Sequence, residues 1–178
     1  MRIGSILENQ KFEKRIAITP EIVKKYISLG FEVCLIENYG SHLGISDEQY
    51  IEMGVKISKD EKEIINSSDI IVQLGMLSED KSSNINENQI LIGILNPYNN
   101  KEKLENLAKK KINLFSLELL PRITRAQSMD VLSSQANLAG YKAVVDSFAN
   151  FEQAIPMMMT AAGTIPAAKV LVVGAGVA

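Results

Sequence analysis

Short apolar runs recur along the first two thirds of the chain and alternate with segments that have a helical pattern. The runs are rich in isoleucine, leucine and valine and lie at residues 2–7 (RIGSIL), 31–36 (FEVCLI), 70–74 (IIVQL), 89–95 (QILIGIL) and 113–117 (NLFSL). Continuous apolar runs are typical of strands buried on both faces, as in a parallel sheet covered by helices. The pattern therefore predicts an α/β fold, a three-layer Rossmann-like domain with a mostly parallel sheet.

Composition limits the classes of function. The 178 residues carry a net charge of only −2, and 22% are charged. This balance excludes a polybasic surface, so we expect no nucleic-acid partner. One cysteine, Cys34, and one histidine, His42, provide neither a disulfide framework nor a zinc site, so we expect no metal. The first 15 residues lack the apolar core of a secretory signal.

A dense polar segment, residues 121–142 (PRITRAQSMDVLSSQANLAGYK), follows the last apolar run. Such density is typical of a surface that meets a ligand, although a solvated face or a set of helix caps is the alternative interpretation. We predict one long helix from about residue 129. If the whole segment is helical, spacings of three and four residues place four polar side chains on one face, namely Gln127, Asp130, Ser134 and Asn137.

The last ten residues form an apolar run, 169–173 (KVLVV), followed by Gly174-Ala175-Gly176-Val177. A strand followed by G-x-G is how the dinucleotide-binding fingerprint begins, since the glycines let backbone amides approach a pyrophosphate. An ordinary glycine turn is the alternative. We predict an N-terminal α/β catalytic-cleft domain at 1–150, a linker at 151–168, and at 169–178 the first strand and glycine turn of a truncated NAD-binding Rossmann domain.

Three stretches give the chain a family resemblance. Residues 13–20 (EKRIAITP) match the pattern E-x-R-V-A-x-T-P, residues 121–144 match a long and specific signature almost continuously, and residues 157–178 match a linker and the start of the fingerprint. The chain thus resembles the alanine dehydrogenase/pyridine nucleotide transhydrogenase family. Within that family it is most similar to the N-terminal part of the alpha subunit of proton-translocating NAD(P) transhydrogenases.

This resemblance implies hydride transfer between NADH and NADP⁺, coupled to proton translocation across the membrane. It implies catalytic roles for Gln127 and Asp130. It also implies that the chain binds NAD(H) through a larger set of residues: Arg122, Gln127, Asp130, Ser133, Gly174, Gly176 and Val177. NADP(H) would be bound by a partner subunit.

The resemblance further implies several partners: the remainder of the alpha subunit, an NADP-binding beta subunit, a membrane domain and a second copy of the chain in a homodimer. The chain would lie peripherally at the cytoplasmic face of the inner membrane, without a membrane span of its own. An isolated fragment would be inactive.

Two alternatives stay open. The first is an amino-acid oxidoreductase similar to alanine dehydrogenase. Against it, Gln73 stands near the position where that pattern has a lysine for the substrate carboxylate, and no histidine lies near residues 95–98. The resemblance implies a lysine near Gln73 in transhydrogenases as well, but hydride transfer requires no base there. The second is an inactive fragment or assembly module that binds a partner chain but no nucleotide.

Overall fold

The computed structural model describes residues 1–177 and divides into two compact units, Met1–Leu120 and Pro121–Ala178. The first unit contains a six-stranded sheet in the order β3-β2-β1-β4-β5-β6, and every neighbouring pair is parallel. The strands are β1 (Arg2–Ser5), β2 (Glu32–Ile36), β3 (Lys56–Ser58), β4 (Ile70–Val72), β5 (Ile90–Gly93) and β6 (Asn113–Ser116). The predicted α/β class and parallel sheet are confirmed.

Helices connect these strands, and their ends follow local sequence signals. They are α1 (Pro20–Ser28), α2 (Asp47–Glu52), α3 (Glu61–Ser67), α4 (Glu79–Ser82) and α5 (Lys101–Lys109), with 3₁₀ turns at Ser41–Leu43 and Leu117–Leu119. Pro20 occupies the first turn of α1, where a missing N–H costs nothing. Ser46 and Gln49 form a reciprocal capping box on α2.

Apolar side chains of the central strands form the core. Ile3, Ile71 and Leu91 are almost completely buried on the three adjacent strands β1, β4 and β5. Gly4 lets β1 approach α3 closely, because a Cβ atom at this position would lie 2.9 Å from Ile64 Cγ2 and 2.1 Å from Oγ of Ser68, the residue directly after the helix. Burial of these apolar surfaces supplies the main stabilisation of the unit.

Strand order reverses beside β1, since β2 and β3 lie on one side of it and β4 to β6 on the other. In parallel α/β sheets the crossover connections are generally right-handed, which places the helices of the two halves on opposite faces of the sheet. Such a reversal opens a crevice at the carboxyl ends of the two strands that flank it, which is the usual ligand-binding position in open α/β sheets.

The second unit begins with a 3₁₀ helix, Thr124–Met129, and continues with α6 (Val131–Ala149). A short antiparallel hairpin follows, made by β7 (Met158–Thr160) and β8 (Gly163–Ile165). The hairpin lies inside the segment predicted as a linker. No helix in residues 1–177 has both the length and the apolar character that crossing a bilayer requires.

Three predictions of local structure were wrong. Residues 169–173 form no strand: Val170, Leu171 and Val173 are 70%, 87% and 91% exposed, and no strand in the described part of this unit pairs with them. A strand needs a neighbour for its backbone hydrogen bonds. The polar segment 80–88 (DKSSNINEN) has neither a helical stripe nor strand alternation and therefore predicts a loop, but it begins inside α4, because Ser78 occupies the N-cap and acidic residues fill the first turn.

The third error concerns the polar segment. Gln127 lies in the 3₁₀ helix, and α6 begins only after Asp130, whose backbone (φ −75°, ψ 85°) is not helical. The four polar side chains at spacings of three and four therefore do not lie on one continuous α-helix. Asp130 interrupts the helix because its short carboxylate caps the free amides of the following turn.

Candidate functional site

The polar segment builds a small pocket within the second unit. Its volume is about 240 Å³, and the lining residues are Arg122, Ile123, Thr124, Gln127 and Asp130. The structure thus brings together three of the predicted site residues, Arg122, Gln127 and Asp130. Ile123 and Thr124 were missed, although both stand between predicted residues in the same motif.

The 3₁₀ helix holds the pocket in shape. Ile123 enters it with extended backbone, and the Ala126 amide donates to the Ile123 carbonyl at 2.9 Å. Ala126 is 5% exposed, whereas its neighbours Arg125 and Gln127 are exposed. Burial of the small Ala126 side chain anchors the turn and leaves the Gln127 carboxamide at the pocket wall.

Asp130 is the best-fixed side chain of the pocket. Its Oδ1 accepts the Ser133 amide at 3.0 Å, and its Oδ2 accepts the Ser133 hydroxyl at 2.6 Å. These two hydrogen bonds, helped by the positive charge of Arg122, hold the pKa of the Asp130 carboxyl below its ordinary value. Near neutral pH this group is a carboxylate, which only accepts hydrogen bonds.

Ser133 supports Asp130 and does not itself line the pocket. The Ser134 hydroxyl donates to the Asp130 carbonyl at 2.9 Å. Both serines therefore fix the junction between the 3₁₀ helix and α6. The capping alternative for these residues is compatible with the predicted ligand role of Asp130, because each carboxylate oxygen can accept a second hydrogen bond.

The predicted glycine turn does not contribute to this pocket. Gly174 has a φ of +100°, a conformation that favours glycine, and a Cβ atom there would meet nothing within 4 Å. Gly176 and Val177 are exposed and, like Gly174, do not line the pocket. Their role toward a pyrophosphate stays a prediction. Residues 1–177 contain no group of three or more His, Cys, Asp or Glu side chains that could hold a metal ion.

A second concavity, of about 570 Å³, lies at the carboxyl ends of β1 and β4 in the first unit, and Glu8 and Gln73 are among its lining residues. Glu8 Oε1 accepts the Leu74 amide at 2.6 Å. Burial raises the pKa of the Glu8 carboxyl above its ordinary value of 4.5. Glu8 was missed by the sequence prediction, although a polar residue directly after a buried strand is the signal that could have found it.

Gln73 is a buried structural residue, only 3% exposed. Its Oε1 accepts the Ser5 hydroxyl at 2.8 Å and the Ile6 amide at 2.9 Å. A lysine ammonium group has no acceptor and could make neither bond. Gln73, which departs from the alanine dehydrogenase pattern, therefore helps to hold together the carboxyl ends of the central strands.

The buried hydrogen bonds extend from Ser5 to the loop before α1. The Ser5 and Tyr39 hydroxyls lie 2.8 Å apart, and Tyr39 accepts the amides of Ala17 and Ile18 at 3.1 and 3.2 Å. The same loop carries Glu13 and Arg15, whose side chains form an ion pair at 2.5 Å. The E-x-R motif is thus a local ion pair on a loop that Tyr39 ties to the sheet.

Comparison with known proteins identifies relatives over the whole chain. Residues 5–139 match the family model "Alanine dehydrogenase/PNT, N-terminal domain", and residues 143–178 match "Alanine dehydrogenase/PNT, C-terminal domain". The chain is 44% identical over its full length to the first polypeptide of the NAD(P) transhydrogenase alpha subunit from Rickettsia prowazekii and from Rhodospirillum rubrum, and it covers 48% of each. The chain therefore spans about half the length of these curated relatives.

A solved structure agrees with the sequence matches. The crystal structure of transhydrogenase from Sinorhizobium meliloti superposes with a TM-score of 0.93 at 42% identity, covering 99% of this chain and 53% of the other. Likeness at this level extends over both units. It covers the segment that builds the pocket around Asp130 as well as the parallel sheet.

Proposed function

Because the chain belongs to the alanine dehydrogenase/PNT family, we propose that it is part of the NAD(H)-binding component of a proton-translocating NAD(P) transhydrogenase. The observation that carries this proposal is the pocket formed by Arg122, Gln127 and Asp130, within a chain that is similar over its full length to transhydrogenase alpha subunits. The reaction is hydride transfer from NADH to NADP⁺ bound by a partner subunit.

The residues of the pocket fit a nicotinamide group. A primary carboxamide offers an N–H donor and a carbonyl acceptor, and the pocket has groups of both kinds. Asp130 accepts the amide hydrogen, while Gln127 and Arg122 supply donors. When bound, NAD(H) supplies the hydride, and the protein needs no acid or base at the reacting carbon.

Orientation and charge are the contributions of the protein. Gln127 and Asp130 hold the ring in one rotational position, so that little freedom is lost on the way to the transition state. The Asp130 carboxylate, kept ionised by Ser133, also favours the positive charge that develops as a dihydronicotinamide is oxidised. Arg122 binds a carboxamide or phosphate oxygen, and Ser133 positions Asp130.

The remaining parts of the proposal rest on the resemblance. Residues 1–150 form the cleft domain, 151–168 a linker, and 169–178 the start of an NAD-binding domain in which Gly174, Gly176 and Val177 approach the pyrophosphate. The partners are the remainder of the alpha subunit, an NADP-binding beta subunit, a membrane domain and a second copy of the chain. The assembly lies at the cytoplasmic face of the inner membrane, couples transfer to proton translocation, and is required for activity.

The structure favours this function over amino-acid oxidation. Gln73 uses its carboxamide oxygen on Ser5 and Ile6 and cannot supply the positive charge of a lysine. Residues 94–96 (Ile-Leu-Asn) follow β5 without a histidine that could exchange a proton near neutral pH. Amino-acid oxidation of the alanine dehydrogenase type uses a cation for the substrate carboxylate and an acid or base that titrates near neutral pH, and neither group stands at these positions.

Reconstitution tests the proposal. The chain is combined with polypeptides that supply the rest of a transhydrogenase alpha subunit and the NADP-binding subunit, and hydride transfer from NADH to an NADP⁺ analogue is measured. We expect transfer with the unaltered chain and a loss of about 100-fold with Gln127→Ala or Asp130→Ala, since small misplacements of a reacting ring have effects of this size. Unaltered rates from both variants would remove the role assigned to the pocket.

A further inference from the structure

Thr124 lines the same pocket as Gln127 and Asp130, and its hydroxyl group is not engaged elsewhere. Within residues 1–177, this hydroxyl makes no hydrogen bond to another residue. By contrast, the hydroxyls of Ser133 and Ser134 are held by Asp130 at 2.6 and 2.9 Å. Thr124 thus presents the one hydroxyl on the described pocket wall that is available to a ligand.

Because Asp130 can only accept hydrogen bonds, a carboxamide bound beside it needs a donor from another residue for its carbonyl oxygen. Both of its oxygens already accept bonds from Ser133, and the lowered pKa keeps the group ionised. An ionised carboxylate attracts the NH₂ end of a carboxamide and repels a ligand carboxylate. The carbonyl end of the carboxamide meets its donors elsewhere on the wall, and its two lone pairs can accept from Thr124 in addition to Gln127 or Arg122.

The position of Thr124 suits that donor role. It is the first residue of the 3₁₀ helix Thr124–Met129, directly after the extended Ile123. Its β-branched side chain has a single stiff torsion, so ordering it costs less entropy than ordering the long side chain of Arg122. Thr124 offers a single hydroxyl donor close to the backbone, whereas Arg122 offers five donors at the end of a long side chain.

We infer that Thr124 is a specificity-determining residue of this pocket, and that it donates its hydroxyl hydrogen to the carbonyl oxygen of the nicotinamide carboxamide. Asp130 and Thr124 together select a carboxamide over a carboxylate or a thioamide. This inference rests on the proposed function, because it takes the ligand to be the nicotinamide end of NAD(H).

The test measures the affinity of the full 178-residue chain for nicotinamide, thionicotinamide and nicotinate by NMR titration. The variants are Thr124→Val, which keeps the shape and removes the hydroxyl, and Thr124→Ser, which keeps the hydroxyl. Since sulfur is a weak acceptor, we expect the unaltered chain to bind nicotinamide about three- to tenfold more tightly than thionicotinamide. Thr124→Val reduces this preference because it weakens the binding of nicotinamide more than that of thionicotinamide, and Thr124→Ser retains the preference.

The same titrations distinguish a failure of the inference on Thr124 from a failure of the proposed function. If Thr124→Val keeps the full preference for nicotinamide over thionicotinamide, while Asp130→Asn abolishes the preference over nicotinate, the inference on Thr124 is overturned and the nicotinamide site stands. If the unaltered chain shows no preference for nicotinamide over nicotinate and Asp130→Asn changes nothing, the proposed function and the inference fail together.

Discussion

Glu8 and Gln73 form a reciprocal pair of hydrogen bonds between the segments that follow β1 and β4: the side chain of each residue accepts a backbone amide from the other segment. Gln73, directly after β4, accepts the Ile6 amide after β1 at 2.9 Å, and Glu8, after β1, accepts the Leu74 amide after β4 at 2.6 Å. These two hydrogen bonds link the segments after β1 and β4, at the point where the strand order reverses. Parallel strands have no turn between them, so side chains must satisfy the amides that follow each strand.

Replacing Gln73 tests the importance of these hydrogen bonds for stability. Gln73→Lys leaves the Ile6 amide without an acceptor and buries a charge, so we expect the free energy of unfolding to fall by about 2–4 kcal/mol. Urea denaturation measures the change. Gln153→Lys, at an exposed glutamine, is the matched control and should change stability little. Equal effects from the two variants would contradict the structural role of Gln73.

Glu8 should titrate above its ordinary range. Burial raises its pKa above 4.5 in the folded chain, so the contribution of this group to stability is fully present below 4.5 and is lost as the pH rises through the folded-state pKa. NMR titration of the Glu8 carboxyl carbon measures the midpoint directly, with the exposed Glu152 as a reference. A Glu8 midpoint at or below 4.5 would contradict the burial of this carboxyl group.

Ionisation of the buried Tyr50 phenol should lower the free energy of unfolding at alkaline pH. Burial raises the pKa of its phenol to about 12, and the hydroxyl donates to the Ile18 carbonyl at 3.0 Å. The stabilising contribution is therefore complete below pH 10, the ordinary value, and disappears as the pH rises toward 12. The free energy of unfolding, measured from about pH 9 to 12, should decrease less steeply with pH in Tyr50→Phe than in the unaltered chain. Tyr98→Phe, at an exposed tyrosine, should leave this decrease unchanged.

Asp130 caps α6, and we propose that it also binds nicotinamide; substitution can separate these two roles. Asparagine is as good an N-cap as aspartate, so Asp130→Asn should keep the capping bond from the Ser133 amide and leave the melting temperature near that of the unaltered chain. Asp130→Ala removes the cap and should lower it. Both variants lose the charge and should bind nicotinamide more weakly. Retained nicotinamide affinity in Asp130→Asn would show that only the cap matters.

The sheet could be predicted from the sequence because its strands are apolar on both faces. Five continuous apolar runs correspond to β1, β2, β4, β5 and β6, since only burial on both faces accommodates such runs. The edge strand β3 is short, and its burial is incomplete, which makes its signal weaker. The order of the strands and the reversal beside β1 depend on contacts distant in sequence, which periodicity does not encode.

Prediction of the pocket was partial for a different reason. The polar motif identified Arg122, Gln127 and Asp130, but helical spacing suggested the wrong arrangement. Asp130 ends the 3₁₀ helix and caps α6, and this competition between side chain and backbone is a local choice that a regular helix pattern does not represent. Thr124 carries no distinctive spacing, so its free hydroxyl became visible only in the structure.

Intermolecular NOEs between the nicotinamide ring of NADH and side chains of this protein test whether the pocket around Asp130 is the nicotinamide site. Ile123 lines the pocket with Asp130 and carries methyl groups that can be labelled selectively. We predict NOEs from the ring protons to the Ile123 methyl groups, which weaken in Asp130→Asn. Ring NOEs to other methyl groups with none to Ile123 would contradict the assignment of this pocket as the nicotinamide site.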